Sequence, residues 1–489
     1  MVRNLFFATI VAAFSLSLTP DVIIAQQPGD TLWTKTYGYS GSDEGIFLRQ
    51  TDDLGYIITG LTGYSFNTDI WLLKTDQNGD TLWTGSYGGD GIEYGYYVQT
   101  TSDGGYIISG ATRSFGLGPF DLYLVKTDEF GDTLWTRNYG TEDAEYGRSV
   151  LQTSDGGYIV AGYAYSAGPT LGDLYLLKTD SNGDSLWMKH YGGSNLETGL
   201  SLSAVSDGGY IFGATTASFG AGESDFWLLR LNQDGDTLWT RTYGGLFEET
   251  AFYVEQTSDG GYIVAGCSNS FGNGLFDVYV VRTDSIGDTL WTGTYGGYLD
   301  DYGEHICEAF GGGYIITGFT RSNSAGSTDL LVMKIDDDGN EIWYKTYGGE
   351  NHDVGHAVRP AVDGGYIITG CTRSFGAGWN DLWLLKIAKE TTDIYSSSTI
   401  IPDDFLSLSN YPNPFNAATT ITFTLPNESR ASLSIYDLLG RQIETSLDEY
   451  KQAGIHTVIF DASHLSSGVY FYRLQVGGMV ETKRMILLK

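Results

Sequence analysis

A unit of about 52 residues repeats seven times end to end. Its landmark tryptophan recurs at Trp33, Trp83, Trp135, Trp187, Trp239, Trp291 and Trp343, spaced by 50 residues once and by 52 five times. A unit of this size cannot bury its apolar face alone, so neighbours must stack, and a four-strand period means a propeller or an array. The same regularity restricts function. A catalytic site is a unique cluster of residues, whereas nearly every conspicuous residue in this chain has six relatives.

The second copy shows the unit well. Tyr96–Thr100, Tyr106–Gly110, Asp121–Lys126 and Thr133–Tyr139 are rich in β-branched and aromatic residues and read as strands, with Gly, Asp and Ser between them. Four antiparallel strands make a propeller blade. The fourth-strand motif first occurs at Gly29-Asp30-Thr31-Leu32-Trp33, before any first strand, and the last unit stops after its third strand, Asp381–Lys386. The two ends are complementary. The sequence therefore predicts an all-β chain whose residues 29–387 form a seven-bladed propeller, the amino-terminal strand supplying the missing outer strand of the last blade and closing the ring.

A net charge of −33 leaves no basic stripe to neutralise phosphates, which excludes nucleic acid as a partner. Much of the acid is turn chemistry. The segment Asp-x-x-Gly-Asp, at Asp76–Asp80, Asp128–Asp132, Asp180–Asp184 and Asp284–Asp288, lacks the spacing of a helix-loop-helix calcium site and reads as a hairpin turn around a left-handed Gly. The Asp-Gly-Gly-Tyr signature after the first strand reads the same way. At the amino terminus, Arg3 precedes the apolar run Leu5–Leu18, and Ala25 before Gln26 offers a cleavage point, so residues 1–25 are expected to be a signal peptide. No transmembrane segment is expected in the mature chain. Three cysteines, Cys267, Cys307 and Cys371, do not make a disulfide framework.

The run Lys-Thr-Asp-x-x-Gly-Asp-Thr-Leu-Trp resembles the tryptophan-docking motif of quinoprotein-like propellers, in which the indole locks one blade to the next. Those dehydrogenases carry adjacent cysteines against the quinone, and no two cysteines are adjacent here. No cofactor is expected.

Six residues after each fourth-strand tyrosine stands a carboxylate: Asp43, Glu93, Glu145, Glu197, Glu249, Asp301 and Asp353. In a propeller this loop joins the outermost strand of one blade to the innermost strand of the next, on the usual ligand face. The expected role is to organise the loop by accepting backbone hydrogen bonds. Departures from the repeat are better candidates for a site. His305, His352, His356 and Trp379 break the pattern, and with Asp301 and Asp353 they are the candidate binding residues on the ligand face of blades six and seven. His352 and His356 stand four residues apart, about 13 Å along a strand, so no metal site is expected from them. No nucleophile motif supports acyl transfer.

After the propeller, residues 388–404 read as a polar, Ser-rich linker. From Phe405 the chain turns into a compact strand-rich module, expected to be a small Ig-like sandwich. It carries Tyr411-Pro412-Asn413-Pro414-Phe415-Asn416, Ile435-Tyr436-Asp437-Leu438-Leu439-Gly440-Arg441, Ser467-Gly468-Val469-Tyr470-Phe471-Tyr472-Arg473-Leu474 and a basic-apolar tail, Lys483–Lys489. In these features residues 405–489 resemble the type A sorting domain of the type IX secretion system. The resemblance implies export through the periplasm, release or anchoring at the cell surface, and the secretion machinery as the partner of this module. The repeat region resembles the propellers that often precede such domains, a likeness that carries no activity. The expected function is binding or adhesion, with an extracellular glycan or protein as ligand. The alternative is a secreted polysaccharide-degrading enzyme, glycoside-hydrolase-like, such as an endoglucanase, using carboxylates of the ligand face.

Overall fold

The computed structural model describes residues 27–64, 66–165, 172–389, 407–411, 415–425, 429–438, 440–452, 454–476 and 479–488. The leader with its Ala25–Gln26 cleavage point, and most of the 388–404 segment, lie outside these residues. Every regular element among the described residues is a strand.

The repeat region forms seven four-stranded antiparallel sheets. Blade 1, for example, is Ser42–Gln50, Tyr56–Tyr64, Asn67–Thr75 and Thr81–Tyr87, each strand hydrogen-bonded to the next. The second and third strands are buried along almost their whole length, whereas the fourth alternates between exposed and half-buried positions. Blade 7 combines the two ends of the region: Asp353–Pro360, Tyr366–Thr372 and Asp381–Ile387 are followed by Thr31–Tyr37, which pairs antiparallel with Asp381–Ile387.

One device joins each blade to its neighbour. The tryptophan ring of a fourth strand lies against the left-handed glycine in the turn before the next blade's fourth strand, so that a Cβ on Gly79, Gly131, Gly183, Gly235, Gly287, Gly339 or Gly29 would crowd the ring of Trp33, Trp83, Trp135, Trp187, Trp239, Trp291 or Trp343. The fourth-strand tyrosine then donates to the same glycine's carbonyl, as from Tyr87 to Gly131 and from Tyr243 to Gly287, each at 2.6 Å. The turns are built as their sequence dictates. In the first, Asp76 Oδ1 accepts from the amides of Asn78 and Asp80, and Gly79 adopts φ 77°.

Each first strand carries a β-bulge at the same place, between Gly45 and Phe47 in blade 1 and between Gly355 and Ala357 in blade 7. A bulge re-aims one side chain. The seven residues so presented are Ile46, Tyr96, Arg148, Leu200, Phe252, Glu304 and His356.

The carboxy-terminal module has two antiparallel sheets. Ser407–Tyr411, Ala418–Leu425 and Gly454–Asp461 form one; Gln442–Lys451, Ser429–Tyr436, Gly468–Val476 and Met479–Leu487 form the other. Both contribute to one core that includes Phe415, Phe423, Leu433, Phe460, Tyr472 and Met485.

Candidate functional site

The seven repeated carboxylates are spent on their own loops. Each accepts from the amide four residues earlier: Asp43 from Tyr39, Glu93 from Gly89, Glu145 from Thr141, Glu197 from Gly193, Glu249 from Gly245, Asp301 from Gly297 and Asp353 from Gly349, at 2.6–3.1 Å. Six also accept from a second-strand hydroxyl, Thr62, Thr112, Thr216, Ser268, Thr320 or Thr372. Blade 3 has Ala164 at that place, and Glu145 there leaves Oε2 without a hydrogen-bond partner.

A second carboxylate stands beside each of these, at the start of the third strand, which inspection of the first-strand loop alone missed. A Cβ on Gly88 would strike both Asp69 and Glu93, and the same holds for Asp225 and Glu249 about Gly244. This crowding explains the glycine after every fourth-strand tyrosine. Burial, reinforced by the neighbouring acid, holds Asp69, Asp173, Asp225, Asp277 and Asp329 above the usual carboxylate range. The pairs recur in all seven blades, so none is singled out for acid–base work on a sugar.

The axis of the propeller is filled. Phe47 stacks on Tyr97 at 4.0 Å between ring centroids and approaches Tyr253, four blades away, at 6.4 Å. His305 stacks on Tyr253 at 3.9 Å. Arg359 caps the cluster, donating to Glu255 at 2.8 Å and to Tyr253 Oη at 2.5 Å. His305 thus lies in mid-strand inside the channel, 1% exposed, and not at a strand start of the ligand face. Burial, with Arg359 and Arg49 near it, pushes its pKa well below the ordinary imidazole value. It is a neutral packing residue whose two ring nitrogens have no hydrogen-bond partner.

The seam between blades 7 and 1 departs most from the repeat. The bulge residue His356 holds Glu304, the bulge residue of blade 6, through Nδ1 to Oε2 at 2.5 Å. Its other nitrogen, Nε2, faces Cys371 Sγ at 3.9 Å. Glu44 of blade 1 completes the group, and the donor atoms of Glu44, His356 and Cys371 all lie within 4.8 Å of one another. Burial opposes charge on His356, but the Glu304 carboxylate wins and raises its pKa well above the ordinary value. Asn380 Nδ2 donates to Glu44 Oε1, and Arg373 Nε donates to Asn380 Oδ1 at 2.6 Å. His352 is half-buried nearby, its pKa lowered first by burial and then by Arg373.

At the same seam the ligand-face loops expose aromatic rings. Trp379 is 76% exposed, and its amide donates to Gly41 O at 2.9 Å, beside Tyr39. Tyr39 and Tyr64 are also exposed, and Ser40 links the two loops by a hydrogen bond to the Tyr64 hydroxyl. An open cleft of about 470 Å³ lies beside the two tyrosines, lined by Tyr39, Tyr64, Asn67, Asp69, Trp71 and Ser86. Of the residues singled out in the sequence, the structure brings His356 and Trp379 to this seam and leaves His305 in the channel. Glu44, Glu304, Cys371 and Asn380 were missed. Aligning the seven units position by position would have found them, since the equivalents of Glu44 are Tyr94, Tyr146, Thr198, Thr250, Tyr302 and Val354.

Comparison with known proteins identifies the carboxy-terminal module. Residues 409–488 match the family described as "Secretion system C-terminal sorting domain". This module is a sorting domain. A chain bearing it is a secreted or outer-surface protein exported through the periplasm. The sorting domain also makes the secretion machinery a partner, and among the described residues no helix is long and apolar enough to cross a membrane. The chain as a whole has more distant similarities. The regulatory protein FlaEY of Caulobacter vibrioides is 23% identical over 227 residues, 41% of this chain and 23% of the relative, so the match spans about a quarter of that protein. A fungal alcohol oxidase of the AA5 family, solved with copper, aligns with 94% of this chain and 100% of its own at 10% identity and TM-score 0.47. A GH43 β-1,3-galactosidase aligns with 75% of this chain and 96% of its own at 9% identity and TM-score 0.33. Neither score ties an activity to this chain.

Proposed function

We propose that the protein is an exported carbohydrate-binding or adhesion module. In this reading a leader ending at Ala25 is removed, residues 29–387 form a closed seven-bladed ring, 388–404 serve as a linker, and 405–489 are an Ig-like delivery module. The pairing of Thr31–Tyr37 with Asp381–Ile387 and the seven tryptophan–glycine contacts support the ring. One observation carries binding over hydrolysis: the repeated acids are engaged by loop amides and, in six blades, by second-strand hydroxyls, while Trp379, Tyr39 and Tyr64 are exposed at one seam, the two tyrosines lining a polar cleft. Aromatic faces flanked by a few polar groups suit sugar rings, whose C–H faces stack on them while their hydroxyls find hydrogen bonds.

The test is a glycan array on the full mature chain, followed by titration of the best glycan against Trp379→Ala and Tyr64→Ala. Each variant is expected to weaken binding about tenfold, with no reducing-sugar release by any form. Turnover of a polysaccharide that Trp379→Ala leaves intact but Asp353→Asn abolishes would establish the hydrolase instead.

A further inference from the structure

We infer that Glu44, His356 and Cys371 form a zinc site at the seam of blades 7 and 1, with Glu304 as the group that orients the histidine. The inference is independent of the proposed glycan binding.

The donor set decides the metal. A thiolate, an imidazole and a carboxylate suit a borderline-soft ion with tetrahedral preference, and calcium or magnesium would take oxygen alone. The spacing fits. With Zn–S near 2.3 Å and Zn–N near 2.0–2.1 Å, a tetrahedral ion holds the two atoms about 3.6 Å apart, and His356 Nε2 stands 3.9 Å from Cys371 Sγ. A side-chain shift of a few tenths of an ångström closes the difference. Glu44 brings its carboxylate within the same 4.8 Å envelope, leaving a fourth position for water.

The surrounding hydrogen bonds are those a metal ligand needs. Zinc-bound histidines almost always donate their other ring N–H to a carboxylate, which fixes the tautomer and aims the free nitrogen. Here Nδ1 is held by Glu304 at 2.5 Å, which leaves Nε2 directed at Cys371. Glu44 is oriented in turn by Asn380 Nδ2 and by Ser42 Oγ at 3.3 Å. His356 and Glu304 keep 18% and 20% of their side chains exposed, so an ion can enter, while Cys371 at 4% stays shielded from oxidants.

The repeat supplies an internal control. Cys267 of blade 5 occupies the register position of Cys371, but the residues matching His356 and Glu44 around it are Phe252 and Tyr302. A buried cysteine is therefore tolerated there as packing alone. Blade 7 differs in surrounding the thiol with other donors, drawn from the first and last blades.

The experiment uses the full mature chain, stripped with chelator and titrated with Zn²⁺, then with Co²⁺ to read the thiolate-to-metal charge-transfer band. One ion per chain is expected, with the band present. Cys371→Ser should lose the band and at least a hundredfold in affinity, His356→Ala should lose at least as much affinity, and Cys267→Ser should change neither. Glu304→Gln should keep the band while weakening affinity ten- to a hundredfold, the signature of an orienting group. Circular dichroism on each variant checks folding. Absence of stoichiometric binding, or binding unchanged by Cys371→Ser in folded protein, would overturn the site. Rapid alkylation of Cys371 that depends on His356, without zinc binding, would also overturn it and assign the trio as a nucleophile with its base.

Discussion

Cys267 and Cys371 sit in the second strands of blades 5 and 7, paired with Thr250 and Val354 in the same register, and both are buried. Cys267 is buried, and the residues that match His356 and Glu44 around it are the aromatic Phe252 and Tyr302. Around Cys371 lie His356, Glu44 and Glu304, one from each of the last, first and sixth blades. The backbone is the same and the chemistry is not. A propeller can therefore keep its fold through one set of positions, the docking tryptophans and loop carboxylates, and vary another set, the bulge residues and their neighbours, without cost to the first.

The largest test separates the two sets by removing a piece of the first. A chain beginning at residue 40 loses the outer strand of blade 7 and the Trp33 contact with Gly79. It should melt with a loss of at least about 3 kcal/mol and aggregate through the exposed Asp381–Ile387 edge. A chain beginning at residue 26 should not, and equal melting of the two would show that blade 7 does not depend on this strand.

Next in size is the loop carboxylate. Glu93→Ala strands the amides of Gly89 and Ser114 and the hydroxyl of Thr112, so denaturant unfolding should report a loss of about 1–3 kcal/mol. Glu145→Gln should stay within about 0.5 kcal/mol of the parent, because Oε2 has no donor to lose and the substitution removes repulsion with Asp121. Similar large losses in both would mean that these acids act as charges and not as acceptors.

Smaller still is the cysteine comparison itself. In chelator, Cys267→Ala and Cys371→Ala should each cost about 1 kcal/mol through lost packing. Added zinc should raise the melting temperature of the parent and of Cys267→Ala, but not of Cys371→Ala. A zinc-dependent rise common to all three would remove the distinction between the blades.

The smallest effect is on pH dependence, where two sets of aspartates oppose each other. Asp155 is lowered to about 2 by the Thr153 hydroxyl and, against the effect of burial, by the buried Lys178. Asp53, Asp103 and Asp259 are lowered by similar partners. Their stabilisation is complete above the unfolded value near 3.9 and is lost as pH falls toward 2. Asp69, Asp173, Asp225, Asp277 and Asp329 are raised, so their ionisation costs stability as pH rises through their folded values, and protonation on mild acidification restores it. Calorimetry from pH 2 to 8 in chelator should place the maximum on the acid side of neutrality. A melting temperature still climbing at pH 8 would show that the paired acids are not coupled.

Much of this was legible in the sequence. Tryptophan spacing revealed the blades because docking needs one indole per interface, and the unmatched first and last strands revealed their pairing. His356 stood out as a break in the pattern, but its partners did not. Glu44 lies over 300 residues away in sequence, and only the packing of blade 1 against blade 7 brings it beside Cys371. His305 reads as a ligand-face residue when the unit is followed along the chain alone. In the structure the middle of the first strand points into the channel, where His305 packs with residues from three other blades, Phe47 and Arg49 of blade 1, Tyr253 of blade 5 and Arg359 of blade 7.

The sharing of blade 7 between the two ends of the repeat region has a consequence in time. Thr34 hydrogen-bonds Trp383, 349 residues later in the chain. Of all the sheets in the propeller, this one alone waits for the last strand to be made, and the loop it closes is the longest the region contains. Such contacts form late and slowly. Until then the earliest-made strand is an unsatisfied edge, open to any chaperone or protease that meets it. A nascent or translocating chain thus keeps the Thr31–Tyr37 edge open until the final blade is finished.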